Sequence, residues 1–353
     1  MKLKTVTALI LAILCLFSLV SCGPTNTNQT TTSPEYTQPA KTGGVVEGKS
    51  TFNNIDYTLY IPSSYKASEN IPMLVALHGG GQGTMGDAKN NRHFFADYTG
   101  LNTVAEKYGF IVVYPRQSTL NNYTYDYWNW YIQQSRTSKE PKAIYDIVNE
   151  VKHSYSIDNS RVFICGISAG AAMAQVLAVT YTDVFAGCCS VAGITYKSGN
   201  IASTSKLQAE GPSIENSVIT NNIFNYLGND KKVTKLLVVT GTADTRVHPK
   251  NSLVMAQTWA GAMQKINPSV DTQLSSESLT GINGVAYTRS VHATLNGEEI
   301  CTLYEIDGMG HSWPGSNLGV SISITSGQDL GYKGGIDLNE VMCDFFGLNK
   351  EVH

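Results

Sequence analysis

Gly166-Ile167-Ser168-Ala169-Gly170 sets a serine between two glycines, after a strand-like Arg161–Cys165 and before a helix-like Ala171–Leu177. A strand–turn–helix of this kind strains the serine backbone and exposes its Oγ to an electrophilic carbon. Small residues at 166 and 170 suit the close approach of strand and helix there. A serine hydroxyl is a poor nucleophile alone, so the turn demands a histidine base and an acid to orient it. Asp244, in Gly241-Thr242-Ala243-Asp244, lies just past the apolar run Leu236–Thr240 and is the candidate acid. His311, in Gly308-Met309-Gly310-His311-Ser312-Trp313-Pro314-Gly315, is the candidate base, with Asp307 a rival acid on the same loop. Of the other histidines, His78 opens a glycine run, His292 sits in a hairpin strand, and His248, soon after Asp244, fits either a pocket wall or, better, a solvated loop.

Attack on a carbonyl creates an oxyanion, which needs fixed N–H donors. His78-Gly79-Gly80-Gly81 comes directly after the apolar run Met73–Leu77, and its glycines let backbone amides face a ligand unobstructed. Gly80 N–H and Ala169 N–H, the latter just past the nucleophile, are the candidate oxyanion hole; losing one such donor costs about 3 kcal/mol of transition-state stabilisation. Tyr123 to Tyr131 carries six aromatic rings, half of them expected in the core and the rest on a pocket wall. Trp128, Trp130 and Trp313 are the candidate substrate-binding rings, Trp313 first because it stands two residues from His311.

These residues need a scaffold that brings distant loops to one edge. Tyr57–Ile61 reads as an early antiparallel strand after a turn at Asn53-Asn54. Met73–Leu77, Phe110–Tyr114, Val162–Cys165, Gly187–Val191 and Lys235–Thr240 read as strands buried on both faces. Helical periods fall at Leu101–Tyr108, Ala143–Tyr155, Ala171–Tyr181, Ser252–Ile266 and Leu338–Phe346. Ala286–Thr294 and Ile300–Ile306 pair across Asn296-Gly297. Alternating strands and helices predict an α/β fold, a mostly parallel sheet covered on both faces, with its site at the carboxyl ends of the strands.

Composition narrows the function. The 353 residues are 42% hydrophobic and 15% charged with net charge −3, which supports a folded core and argues against nucleic acid or anionic lipid as a partner. Lys2 and Lys4 precede an apolar stretch ending at Leu19-Val20-Ser21-Cys22, which reads as the signal and lipobox of a bacterial lipoprotein acylated at Cys22. Residues 22–42, rich in Thr and Pro, read as a tether, which leaves 43–349 as the catalytic body. Cys165, Cys188, Cys189, Cys301 and Cys343 are odd in number, and a Cys301–Cys343 bridge is one expectation for an exported chain. No Cys or His spacing matches a metal site, so none is expected.

The chain resembles the poly(3-hydroxybutyrate) depolymerase-like esterases, a branch of the carbohydrate esterase family 1 grouping that also holds feruloyl and acetylxylan esterases. Leu77-His78-Gly79, Tyr114-Pro115-Arg116-Gln117-Ser118, Trp128-Asn129-Trp130, Gly166 to Gly170, Gly241 to Asp244 and Gly310 to Gly315 carry the likeness, in family order. The resemblance implies an α/β-hydrolase fold, export, no cofactor, and a Ser168, His311, Asp244 triad in the α/β-hydrolase order Ser, Asp, His. Two positions depart from it. Many members have Cys where this chain has Gly80 and again where it has Tyr127, so a disulfide at that place is not expected here. The expected function is a serine carboxylic ester hydrolase acting on a polyester or on an acyl group linked to polysaccharide, feruloyl or acetyl. A surface polysaccharide-binding protein without catalysis is the alternative from another class.

Overall fold

The computed structural model describes residues 42–50, 55–82, 94–117, 126–199, 201–315 and 330–349, all within one structural unit. The leader, Cys22, the tether through Lys41, the Asn53-Asn54 turn, Ser118, Tyr123 and Tyr125 lie outside the described residues. The chain opens with strands β1 (Gly44–Lys49), β2 (Asp56–Ile61) and β3 (Ile71–Leu77), then helices α1 (Phe94–Thr99) and α2 (Leu101–Tyr108). Next come strand β4 (Ile111–Pro115), helix α3 (Lys139–Ser154), strand β5 (Ile157–Ile167), helix α4 (Ala169–Thr180) and strand β6 (Gly187–Val191). Helices α5 (Thr204–Glu210) and α6 (Asn216–Tyr226) precede β7 (Lys235–Gly241) and α7 (Lys250–Gln264). The remainder is β8 (Ser275–Thr280), β9 (Ala286–Ala293), β10 (Glu299–Ile306), the short β11 (Trp313–Pro314) and β12 (Gly331–Tyr332), and α8 (Leu338–Phe346).

Ten strands form one sheet in the order β1-β2-β4-β3-β5-β6-β7-β10-β9-β8. From β4 to β10 all neighbours are parallel, whereas β1 and β2 at one margin and β9 and β8 at the other run antiparallel. Successive side chains on a strand point to opposite faces, so a strand covered on both sides must be apolar throughout. Met73, Val75 and Leu77 of β3 join the core under α3, α4, α6 and α7; Leu74 and Ala76 join the core under α1, α2 and α8. Each of these Met, Val and Leu side chains contributes about 1.5–3 kcal/mol by leaving water. Helix α4 lies so deep that Gly170 to Thr180 are all buried.

The expected strands and helices are present, with ends shifted by a few residues. Helix α6 occupies part of the polar stretch between β6 and β7, buried only through Ile219 and Ile223. Strand β8, Ser-Ser-Glu-Ser-Leu-Thr, is exposed at every position and so carries no alternation in sequence; pairing with β9 alone holds it. Cys301 lies in the core on one side of the sheet and Cys343 in the core on the other, so the expected bridge between them is corrected. All five described cysteines are free and buried. No helix among the described residues is long and apolar enough to cross a membrane.

Candidate active site

Parallel strands send their carboxyl ends to one edge, and every residue expected to do chemistry lies just past such an end. Ser168 comes directly after β5, with φ 57° and ψ −122°. A non-glycine residue held there costs about 1–3 kcal/mol, which its surroundings must supply. Its N–H donates to the Val191 carbonyl at 2.9 Å, and its own carbonyl accepts from Ala172 N–H at 3.0 Å. The hydroxyl makes no capping bond to helix α4, and the residue is partly exposed. Among the described residues the Oγ makes no hydrogen bond, to His311 included.

The two flanking glycines are needed for distance. A Cβ on Gly166 would stand 2.6 Å from the Gly170 carbonyl oxygen. One on Gly170 would press into the Leu77 and His78 carbonyl oxygens. The second contact places the start of α4 directly against the end of β3, where the His78-Gly79-Gly80 turn begins.

Asp244 and His311 meet. His311 Nδ1–H donates to Asp244 Oδ2 at 2.8 Å, and the Asp244 side chain is fully buried. The other carboxylate oxygen, Oδ1, accepts from Arg246 N–H at 2.8 Å and Val247 N–H at 2.9 Å. Three donors therefore fix an acceptor that holds one imidazole tautomer and leaves Nε2 for a proton. The loops after β7 and β10 are bolted together: Ala243 N–H donates to the Met309 carbonyl at 3.0 Å, and Gly308 N–H to Thr242 Oγ1 at 2.9 Å. The rival acid Asp307 is exposed and takes the Thr242 hydroxyl at 3.2 Å. His248 is exposed, its Nδ1 accepting from Lys250 N–H.

In the glycine turn, Gly79 N–H donates to Gln82 Oε1 at 2.9 Å, Gly81 N–H to the Asp126 carbonyl at 3.1 Å and Gln82 N–H to the Gly79 carbonyl at 3.3 Å. Gly80 N–H has no acceptor among the described residues. The Ala169 N–H sits in the first turn of α4, where backbone donors have no helical partner. His78 is wholly buried: Nδ1–H donates to the Gly79 carbonyl at 2.8 Å and Nε2 accepts from Gln117 N–H at 3.0 Å. Burial pushes the imidazole down to about 4, with nearby Arg116 acting the same way against the Gly79 bond.

A family model described as "Esterase PHB depolymerase" matches residues 55–213, which include the glycine turn and the Ser168 elbow. Probable acetylxylan esterase A of Aspergillus terreus is 30% identical over 224 residues, covering 59% of this chain and 67% of that protein. The chain belongs to the esterase PHB depolymerase family. Poly(3-hydroxyalkanoate) depolymerase C of Paucimonas lemoignei is 29% identical over 266 residues, 74% of this chain and 59% of that longer protein. The chain thus spans under two thirds of that relative's length. The solved acetyl xylan esterase from Aspergillus awamori superposes with a TM-score of 0.63 at 20% identity, over 87% of this chain and all of that one. The fold is that of the α/β-hydrolase esterases, as expected.

Of the aromatic rings expected on the pocket wall, the three indoles are buried. Trp128 and Trp313 are fully buried and Trp130 is 7% exposed. Trp313 Nε1–H donates to Asn339 Oδ1 at 3.2 Å, and its ring meets Phe95 edge-on. Trp128 packs beside His78 with ring centroids 5.4 Å apart. All three indoles are thus buried among the loops behind the turn. Partly exposed instead are Tyr127 and Tyr131, whose hydroxyls hydrogen-bond at 2.9 Å. Tyr127 Cβ lies 3.3 Å from where a Cβ on Gly80 would stand. Alternation along 126–131 separates two sets of rings, and sequence alone does not say which set faces inward.

Proposed function

We propose that the chain is a serine carboxylic ester hydrolase acting through Ser168, His311 and Asp244. His311 Nε2 takes the Ser168 proton as Oγ attacks the ester carbonyl. The tetrahedral oxyanion accepts from Gly80 N–H and Ala169 N–H. Collapse expels the alcohol, which receives the proton from His311, and leaves an acyl group on Ser168. Water then attacks that ester with His311 again as base, releasing the carboxylic acid and restoring the serine. The observation that carries this reading is the 2.8 Å His311–Asp244 bond at the same sheet edge as a strained, uncapped Ser168. Replacing Ser168 by Ala should lower kcat for p-nitrophenyl acetate by about 10⁶; a variant as active as the parent sinks the assignment.

For the substrate, short hydroxyalkanoate esters are the first reading, because the matching family model and depolymerase C carry that name. Acetyl groups on polysaccharide are the second, favoured by acetylxylan esterase A of Aspergillus awamori, of which this chain covers 82% at 27% identity. Comparing hydroxybutyrate oligomers with acetylated xylan at matched concentrations decides between them. A preference of more than about tenfold, roughly 1.4 kcal/mol in transition-state binding, settles the class. The leader further supports export with a lipid on Cys22. Radiolabelled palmitate should mark the parent in cells and fail to mark Cys22→Ala.

A further inference from the structure

A buried hydrogen-bond chain stands behind the glycine turn, and the triad makes no use of it. Its hub is Glu140, in the first turn of α3 and only 4% exposed. One carboxylate oxygen accepts from Gln117 Nε2 at 2.6 Å and from Asn129 Nδ2 at 2.5 Å; the other accepts from Asn129 N–H at 2.7 Å. No Lys or Arg forms an ion pair with Glu140 among the described residues. Burying a carboxylate is costly, and three converging donors, with the charge of neighbouring Lys139, offset it here.

Those donors lead to both sides of Gly80. On one side, Gln117 carries its backbone N–H to His78 Nε2, and the same ring holds the Gly79 carbonyl. On the other, Asn129 anchors the loop that presents the Asp126 carbonyl to Gly81 N–H and packs Tyr127 Cβ against Gly80. The Gly79–Gly80 peptide plane is therefore set by two arms that share one carboxylate. A donor aimed at an oxyanion must hold its direction before charge develops, because an amide that reorients during the reaction loses its advantage.

We propose that Glu140 is a positioning residue for the oxyanion hole, its carboxylate fixing both walls of the Gly80 amide. The proposal rests on the reading of Gly80 N–H as an oxyanion donor. Glu140→Gln keeps the shape but turns an NH₂ toward donors that need an acceptor. Gln117→Met keeps the volume and deletes the arm to Glu140 alone. With p-nitrophenyl acetate, each folded variant should lose about 10–100-fold in kcat with KM within threefold of the parent, since full loss of one donor costs about 10²–10³. A merely structural role would lower the melting temperature without that kcat–KM split. Should Glu140→Gln fail to fold, Gln117→Met decides. If the parent hydrolyses the ester and a folded variant keeps kcat within twofold, the positioning role is overturned while the esterase reading stands. A parent that neither hydrolyses nor takes a fluorophosphonate at Ser168 overturns both.

Discussion

Replacing Gly241 by Ala inserts a methyl group between the two loops that carry Asp244 and His311. On the present backbone that Cβ would press into the Met309 carbonyl oxygen, 2.5 Å from its carbon and 2.8 Å from the Gly310 carbonyl oxygen. Ordinary contact begins near 3.4 Å, so relieving the clash with the Met309 oxygen requires the loops to part by about 1.4 Å. Neither loop can yield alone, because Ala243 N–H and Gly308 N–H tie one to the other. The His311–Asp244 bond then stretches from 2.8 Å to about 4.2 Å, beyond the range of an N–H···O hydrogen bond. A displacement of this size costs on the order of 10² in rate. Complete loss of the acid's orienting role costs about 10⁴. Gly241→Ala should therefore lower kcat for p-nitrophenyl acetate by 10²–10⁴, with about 1–3 kcal/mol lost from unfolding free energy by overpacking. Gly310→Ala is the control: it adjoins His311, yet its Cβ would meet nothing within 4 Å and should leave kcat near the parent value. Stopped-rate hydrolysis and urea unfolding of both variants test this coupling. If Gly241→Ala keeps kcat within threefold, the contact between these loops does not hold the acid and base together.

The Gly80→Cys, Tyr127→Cys pair should form a disulfide on oxidation, because the two Cβ positions lie 3.3 Å apart against an ordinary 3.5–4.5 Å. The bond should add up to roughly 4 kcal/mol, and two thiols still titrating after oxidation would count against the geometry. Stability should fall as pH drops through the window between 6.5 and about 4: unfolded histidine takes a proton near 6.5, whereas buried His78 stays neutral to about 4. The loss is ~3 kcal/mol when complete, with His292, also held below its usual value by burial, acting in the same direction. Urea unfolding at steps between pH 7 and pH 4 measures it, and a flat profile contradicts the buried neutral ring. Native protein should resist maleimide at Cys165, Cys188, Cys189, Cys301 and Cys343, whose thiols burial pushes up. Modification of any of them before unfolding, read by mass spectrometry, contradicts that burial.

Much of the fold was legible in the chain because its signals are local. The continuous apolar runs at Met73–Leu77 and Leu236–Val239, both short, read as strands buried on both faces. The glycines at 166 and 170 mark a turn that the helix start itself requires. Asp244 and His311 were legible for a related reason: each lies just past a buried strand, and parallel strands deliver the loops at their carboxyl ends to one edge.

Local signals end where faces and partners are chosen. Cys301 and Cys343 read as one expected bridge, but which side of the sheet α8 covers depends on how the helix packs. Trp128, Trp130 and Trp313 read as pocket rings because indoles suit a substrate as well as they suit a core. Only the packed loops show those rings turned inward and Tyr127 and Tyr131 left partly open. Strand β8 carries no pattern because no face of it is buried. Glu140 stands three residues before the expected helix start at Ala143 and carries no signal of its own in the sequence. Its partners Gln117 and Asn129 lie 23 and 11 residues away in sequence, and no spacing rule joins them. Periodicity encodes what a residue's own element demands of it; contacts between elements arise only when the elements pack.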